Sequence, residues 1–171
     1  MASRSSSSRS TAKRPAHSLP QEVFISLLKL ADALTRQADR LIRSAGLSGA
    51  QYNVLRILRG AEPQGLACRE IGERMISHDP DITRLLDRME KRQLITRERQ
   101  TDDRRVIKTR ITATGLAALA ELDEPVSALH KRQFQHMSAA RLKMLSELLQ
   151  ESAPQGSHSA DEVPDSRSHT G

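Results

Sequence analysis

The chain has 171 residues, enough for one domain with tails and for a helical core that is stable alone or as a dimer. Its 27 Lys and Arg stand against 21 Asp and Glu, leaving a net charge of +6 and a pI near 10.1; that excess favours a polyanion such as nucleic acid or an anionic membrane surface. No apolar run approaches the roughly 18 residues of a membrane span, and a single cysteine, Cys68, excludes an intramolecular disulfide and a multi-cysteine zinc site. A soluble, cytoplasmic protein is expected.

Residues 1–17, "MASRSSSSRSTAKRPAH", form a basic, Ser-rich, acid-free segment without an apolar face. It resembles an organelle transit peptide only in composition and reads as a disordered tail. Its Arg4, Arg9, Lys13 and Arg14 are candidates for a nonspecific DNA-binding arm, with a free tail as the alternative. Residues 153–171 are likewise expected to be disordered, leaving residues 18–152 as the folded part.

From Leu19 the apolar positions Val23, Leu27, Leu30, Ala31, Leu34, Ala38, Leu41 and Ile42 recur at three- and four-residue spacing, predicting a long amphipathic helix that ends before Gly46. Ser48 stands three residues ahead of Gln51 as a capping box, with Leu47 and Tyr52 placed as a hydrophobic staple, so a second helix follows and stops near Gly60. The stretch "LACREIGERMI" reads as a short helix with Ile71 and Met75 inward and with Gly72 giving room for a close helix contact. Asp79 as N-cap and Pro80 at the first helical position then open a fourth helix, with Asp81 adding charge to its first turn.

In that fourth helix Ile82, Leu85, Leu86 and Met89 make an apolar stripe, with Arg84, Asp87, Arg88 and Lys91 opposite and Asp81 and Thr83 flanking. Next, Ile107, Thr109 and Ile111 alternate with Lys108, Arg110 and Thr112, and Ile95–Arg99 supplies a partner strand, so a charged β-hairpin is predicted, leaning on the helices. The tail of the fold reads as one helix interrupted or kinked at Pro125, then another capped by Ser138 with Leu142, Leu145, Leu148 and Leu149 inward.

This order makes the fold class mainly α with a small β-hairpin wing, a winged helix-turn-helix. A capped helix carrying Arg84, Arg88 and Lys91 can lie in the major groove, where such donors meet guanine O6 and N7, and Asp81 can accept from a cytosine amino group. The alternative is a solvated amphipathic helix with an Asp87–Lys91 pair at i, i+4. A hairpin loop holding Arg104 and Arg105 suits the narrow minor groove, with Asp102 and Asp103 divided between turn chemistry and orienting an arginine; otherwise the hairpin is an edge protected by charge. Phe24, Tyr52 and Phe134 are the only aromatic residues, so stacking on unpaired bases is not expected.

The stretch Ile82–Gly115, "ITRLLDRMEKRQLITRERQTDDRRVIKTRITATG", closely resembles the recognition helix and wing of the MarR (multiple antibiotic resistance regulator) family, and a looser resemblance extends over residues 23–149. Asp103, Arg104 and Arg105, followed by the strand and by Thr112 and Gly115, match its wing; Asp87, Arg88 and Glu90 match its helix. The resemblance implies that Arg105 reaches the minor groove and Asp103 orients an arginine. It also implies a homodimer built by helices within about 19–45 and 115–152, flanking a DNA-binding lobe at about 47–114, with an intrachain core as the alternative. The expected partner is double-stranded DNA with a pseudo-palindromic operator. The implied function is a repressor relieved by a small apolar or phenolic effector, needing no cofactor.

Three departures from the family pattern stand out. Gln93 replaces a usual glycine after the recognition helix, and must take a left-handed cap or end the helix differently. Ala67 replaces a capping Ser or Thr, and Cys68 is not at the family's peroxide-sensing position, so it reads as a small buried or half-buried thiol. His130 and His136, six apart, do not align for a metal, and His78 before the recognition helix is a weak candidate for phosphate contact. A protein-binding winged helix without specific DNA binding is the second reading. An enzyme is the poorest, since no nucleophile and base, phosphate loop or metal set is present.

Overall fold

A computed structural model describes residues 18–76, 81–99 and 106–152. The chain separates into two compact units, Met1–Ser127 and Ala128–Gly171. The first holds α1 (Leu19–Ser44), α2 (Gly49–Arg59), β1 (Leu66–Ala67), α3 (Cys68–Arg74), α4 (Ile82–Lys91), β2 (Ile95–Arg99), β3 (Ile107–Ile111) and the start of α5 (Ala113–Phe134). The second holds the end of α5 and α6 (Ala139–Glu151).

The capping box expected of α2 is present, with the Gln51 N–H donating to Ser48 Oγ at 3.2 Å and the Ser48 N–H to Gln51 Oε1 at 3.0 Å. This satisfies two donors that a helix start leaves open. The core is built on Val54, Leu55 and Leu58 of α2, Ile71 of α3, Leu85, Leu86 and Met89 of α4, the sheet residues Leu66, Ile95 and Ile111, and Leu119, Leu122 and Val126 of α5. All three fully buried positions of α4 are those of its sequence stripe.

The hairpin pairs antiparallel in the register Ile95 with Ile111 and Arg97 with Thr109. Thr109 and Ile111 are buried, whereas Ile107, in the outermost pair of the ladder, is exposed. The sheet has a strand that the sequence did not suggest: Leu66 and Ala67, read as the opening of a helix, pair with Thr109 and Lys108. Two residues carry too little alternation to announce a strand, and only the tertiary fold brings them to the open edge of β3. Gly65, at φ 65°, makes this possible, because a Cβ there would lie 2.7 Å from the Thr109 carbonyl oxygen. Gly72 does not have the role expected of it, since a Cβ there would meet nothing within 4 Å.

The N-terminus of α4 also differs from expectation. Asp81, not Asp79, is its N-cap, the Arg84 N–H donating to Asp81 Oδ1 at 3.3 Å; a carboxylate can cap either turn, and sequence does not settle which. Asp79, Pro80 and His78 lie outside the described residues. At the other end Gln93 does take the left-handed conformation, φ 58°. Leu94 N–H donates to the Met89 carbonyl at 3.0 Å and Gln93 N–H to that of Glu90 at 2.8 Å, a Schellman motif. Thr112 holds the cap from outside, its Oγ1 donating to the Gln93 carbonyl at 2.6 Å and accepting from the Gly115 N–H at 3.0 Å. Gln93→Gly should therefore raise stability by about 0.5–1 kcal/mol, relief of left-handed strain being partly offset by a freer unfolded chain. Chemical denaturation would check this, and a lowered midpoint would refute it.

Helix α5 runs through Pro125 without a break, and α6 is capped as expected, the Arg141 N–H lying 3.4 Å from Ser138 Oγ. The inward placement of Leu142, Leu148 and Leu149 is not observed: all are exposed, and α6 has no buried residue. The same holds for the first half of α1, where Leu19, Val23, Phe24, Leu27, Leu28 and Leu30 are exposed and only Ile42 is buried. These stripes have the period of a buried helix face but are not covered among the described residues.

Candidate nucleic-acid interface

The apolar stripe of α4 decides which of its residues are available. With Leu85, Leu86 and Met89 in the core, Thr83, Arg84, Arg88 and Lys91 are exposed on the other side. Arg84 and its cap are joined, Arg84 Nε lying 3.2 Å from Asp81 Oδ2. Both Asp81 oxygens thus serve the helix start, which leaves little of the acceptor role toward cytosine that the sequence offered.

The i, i+4 alternative, Asp87 with Lys91, is not formed. Asp87 instead meets Arg97 of β2, its Oδ1 lying 2.6 Å from an Arg97 terminal nitrogen. The same guanidinium donates to Glu90 Oε2 through Nε at 2.9 Å and through that terminal nitrogen at 2.6 Å. A planar fork can engage two carboxylates at once, and a lysine on the next turn of the same helix cannot match that geometry. The hydrogen bond that Arg97 donates to Glu90, then that to Asp87, raise the Arg97 pKa further above its ordinary value against the opposing effect of burial. Arg97 was missed in the sequence, although a signal existed: period-2 alternation puts it on the same face as Ile95, and an inward arginine requires a carboxylate partner.

Three further contacts lock the elements around α4. The Arg92 guanidinium donates to Gln51 Oε1 at 3.2 Å, tying the end of α4 to the start of α2. Glu70 Oε2 accepts from the Ala67 N–H at 2.7 Å and from Lys108 Nζ at 2.9 Å, joining α3 to β3 and supplying half of the cap that Ala67 cannot complete with its own side chain. Arg59 donates to both oxygens of Asp123 at 2.8 and 3.0 Å, joining α2 to α5. Cys68 is half-buried against the core, as expected.

Glu70 and Asp123 are both held below the usual carboxylate range, Glu70 chiefly by the Ala67 N–H and then Lys108, Asp123 chiefly by the hydrogen bond from Arg59. A depressed carboxyl stabilises the fold above the ordinary carboxylate pKa of about 4 and loses that contribution as pH falls through its lowered folded value. Melting temperature should therefore fall on acidification below that range, and Glu70→Gln should flatten the fall. An unaltered acid limb in the variant would remove Glu70 from the account.

The wing residues Asp103, Arg104 and Arg105 lie outside the described residues. The two strands that carry the loop are described, and Arg97 joins β2 to α4 through Asp87 and Glu90. His130 Nδ1 lies 3.0 Å from Gln133 Oε1. Among the described residues no group of three or more His, Cys, Asp or Glu could hold a metal ion, and no helix is long and apolar enough to cross a membrane.

A helix pinned by one face across a three-stranded sheet, with arginines and lysine on its open face and a hairpin beside it, defines a winged helix-turn-helix protein. The family model for the MarR family matches residues 47–107, the span from the α2 cap to the first residue of β3. A MarR transcription factor from Planctomyces limnophilus has a solved structure that is 38% identical, covering 80% of this chain and 98% of that one with a TM-score of 0.61. The chain belongs to the MarR family. It is also 28% identical over 120 residues to the HTH-type transcriptional regulator MhqR of Bacillus subtilis (strain 168), covering 66% of this chain and 81% of the relative. The structure of a mutant MarR from E. coli complexed with operator DNA shares the fold, with 24% identity, a TM-score of 0.66 and coverage of 81% of this chain and all of that one (100%).

Proposed function

We propose that this protein is a homodimeric, sequence-specific DNA-binding transcriptional regulator of the cytoplasm, a repressor that a small apolar or phenolic ligand releases from a pseudo-palindromic operator. The observation that carries the reading is α4: its buried stripe fixes it on the core, leaving Thr83, Arg84, Arg88 and Lys91 on an open face beside the wing strands. Family membership, the MarR structure on operator DNA and a basic chain of net charge +6 support the same partner. Relatives named as transcriptional regulators support a role that is not enzymatic. Ligand release needs only that the ligand bind better to a spacing of the two recognition helices that does not match successive grooves.

In this assignment Arg84, Arg88 and Lys91 contact bases or phosphates in the major groove, Thr83 flanks them, and Asp81 acts as the cap that sets Arg84. The assignments of Asp103, Arg104 and Arg105 rest on the resemblance of the wing, Arg105 as the minor-groove contact and Asp103 as its guide. Gel retardation with the DNA upstream of the protein's own gene tests the whole reading. Arg88→Ala is expected to weaken operator binding by about 1–3 kcal/mol at fixed salt while leaving the melting temperature unchanged. Titration curves that superimpose would remove Arg88 from the interface.

A further inference from the structure

We propose that Arg97 makes α4 a donor-only reading head, by holding Asp87 and Glu90 out of use, and that the half-site it selects is consequently built on guanines. This rests on the DNA-binding reading above. Three carboxylates belong to the helix and its cap, and carboxylates would read cytosine N4 or adenine N6 amino groups. Asp81 spends one oxygen on the Arg84 N–H and the other on Arg84 Nε. Asp87 and Glu90 converge on one guanidinium that comes from another element and is itself only 26% exposed. Each commits one oxygen to that guanidinium, Asp87 Oδ1 and Glu90 Oε2, so either could read a base only through its other oxygen, on a carboxylate whose charge Arg97 already compensates.

What remains on the open face donates. Arg88 and Lys91 have no ion-pair partner among the described residues, and Arg84 keeps its terminal nitrogens beyond the Nε used on Asp81. The three lie at i, i+4 and i+7, so their Cα atoms span about 10 Å along the axis, close to three base-pair steps. Guanine is the base that offers two acceptors, O6 and N7, at the major-groove edge. Arg97 is thus a positioning residue: it touches no base, yet removes the acids that would compete for the amino groups of cytosine and adenine and would repel phosphate.

The test is selection of bound sequences from a random double-stranded pool by the full chain, followed by N7-methylation interference on the recovered DNA. The wild-type protein is expected to enrich a motif whose guanines block binding when methylated. Arg97→Gln, which frees both carboxylates, should lower discrimination of guanine against adenine by about tenfold with nonspecific affinity unchanged. Asp87→Ala combined with Glu90→Ala breaks the same ion pairs and leaves neither a charge nor an acceptor in their place, and should keep the guanine preference. A motif without interfering guanines, or equal loss of preference in the two variants, would overturn the inference and leave Arg97 a structural brace. The double variant decides this even where Arg97→Gln fails to fold, since loss of guanine preference in it is sufficient to refute. Wild-type protein that enriches no sequence would instead overturn the regulator reading, and this inference with it.

Discussion

Replacing Gly115 with alanine is expected to cost about 2–3 kcal/mol of folding stability, at the upper end of overpacking effects. Gly115 lies in the first turn of α5, where that helix crosses the end of α4. A Cβ there would fall inside contact distance of the Leu94 carbonyl oxygen and would lie 2.8 Å from Ile111 Cγ1 and 3.2 Å from Leu55 Cδ2. Two of these neighbours are buried side chains that could shift only by disturbing the core, and the third is backbone already accepting from the Thr112 N–H at 3.1 Å. The same few atoms carry the Gln93 cap and therefore the exit of α4 toward the wing. For a chain of this size the loss corresponds to roughly 4–12 °C in melting temperature. Operator affinity should fall too, because the recognition helix and the wing share this joint. A variant that melts within a degree of the parent would show that the crossing relaxes more cheaply than its geometry indicates.

The second large effect concerns the exposed stripes. In the single chain Leu27 and Leu30 are 38% and 41% exposed, and Val23, Phe24 and Leu28 are more exposed still. An apolar stripe of that length is costly in water and is the mark of an interface. On the homodimeric reading proposed above, the α1 stripe is proposed as part of the dimer interface. Leu27→Asp combined with Leu30→Asp should then leave the protein monomeric at micromolar concentration. Four leucines across the two copies contribute at least about 6 kcal/mol when buried, and the introduced charges add a desolvation cost. Sedimentation would report the change directly, and circular dichroism would show whether the core around α2, α4 and α5 survives. Operator binding should weaken in step, because two half-sites are then engaged independently. An intact dimer would mean that these leucines are covered by something else.

Much of the lobe was legible from local pattern. The capping box at Ser48 and Gln51, the α4 stripe, the alternation that turns Thr109 and Ile111 inward and the Ser138 cap were all expected and all observed, and of the two ends left open for Gln93 the left-handed cap is the one formed. Each depends on residues within a few positions of one another, where helical and strand periods fix which side chains meet. The errors share a different property. Placing Leu66–Ala67 in a helix, choosing Asp79 as the cap and assigning Gly72 a packing role all took a local solution that the fold did not keep.

What the sequence determined by itself is therefore the helices and the hairpin, the inward face of α2 and α4, and the basic face of α4 that would meet DNA. These follow from spacing and from the sign of exposed charge, which no later packing step alters. The tertiary structure alone decided which charges remain available on that face. Arg97 reaches Asp87 and Glu90 from a neighbouring strand, and Lys108 reaches Glu70 from another. Such pairings are set by how elements cross, a long-range outcome of core packing that no window of sequence contains. The exposed α1 and α6 stripes mark the same boundary from the other side: periodicity marks a face suited to burial, and among the described residues packing left it open.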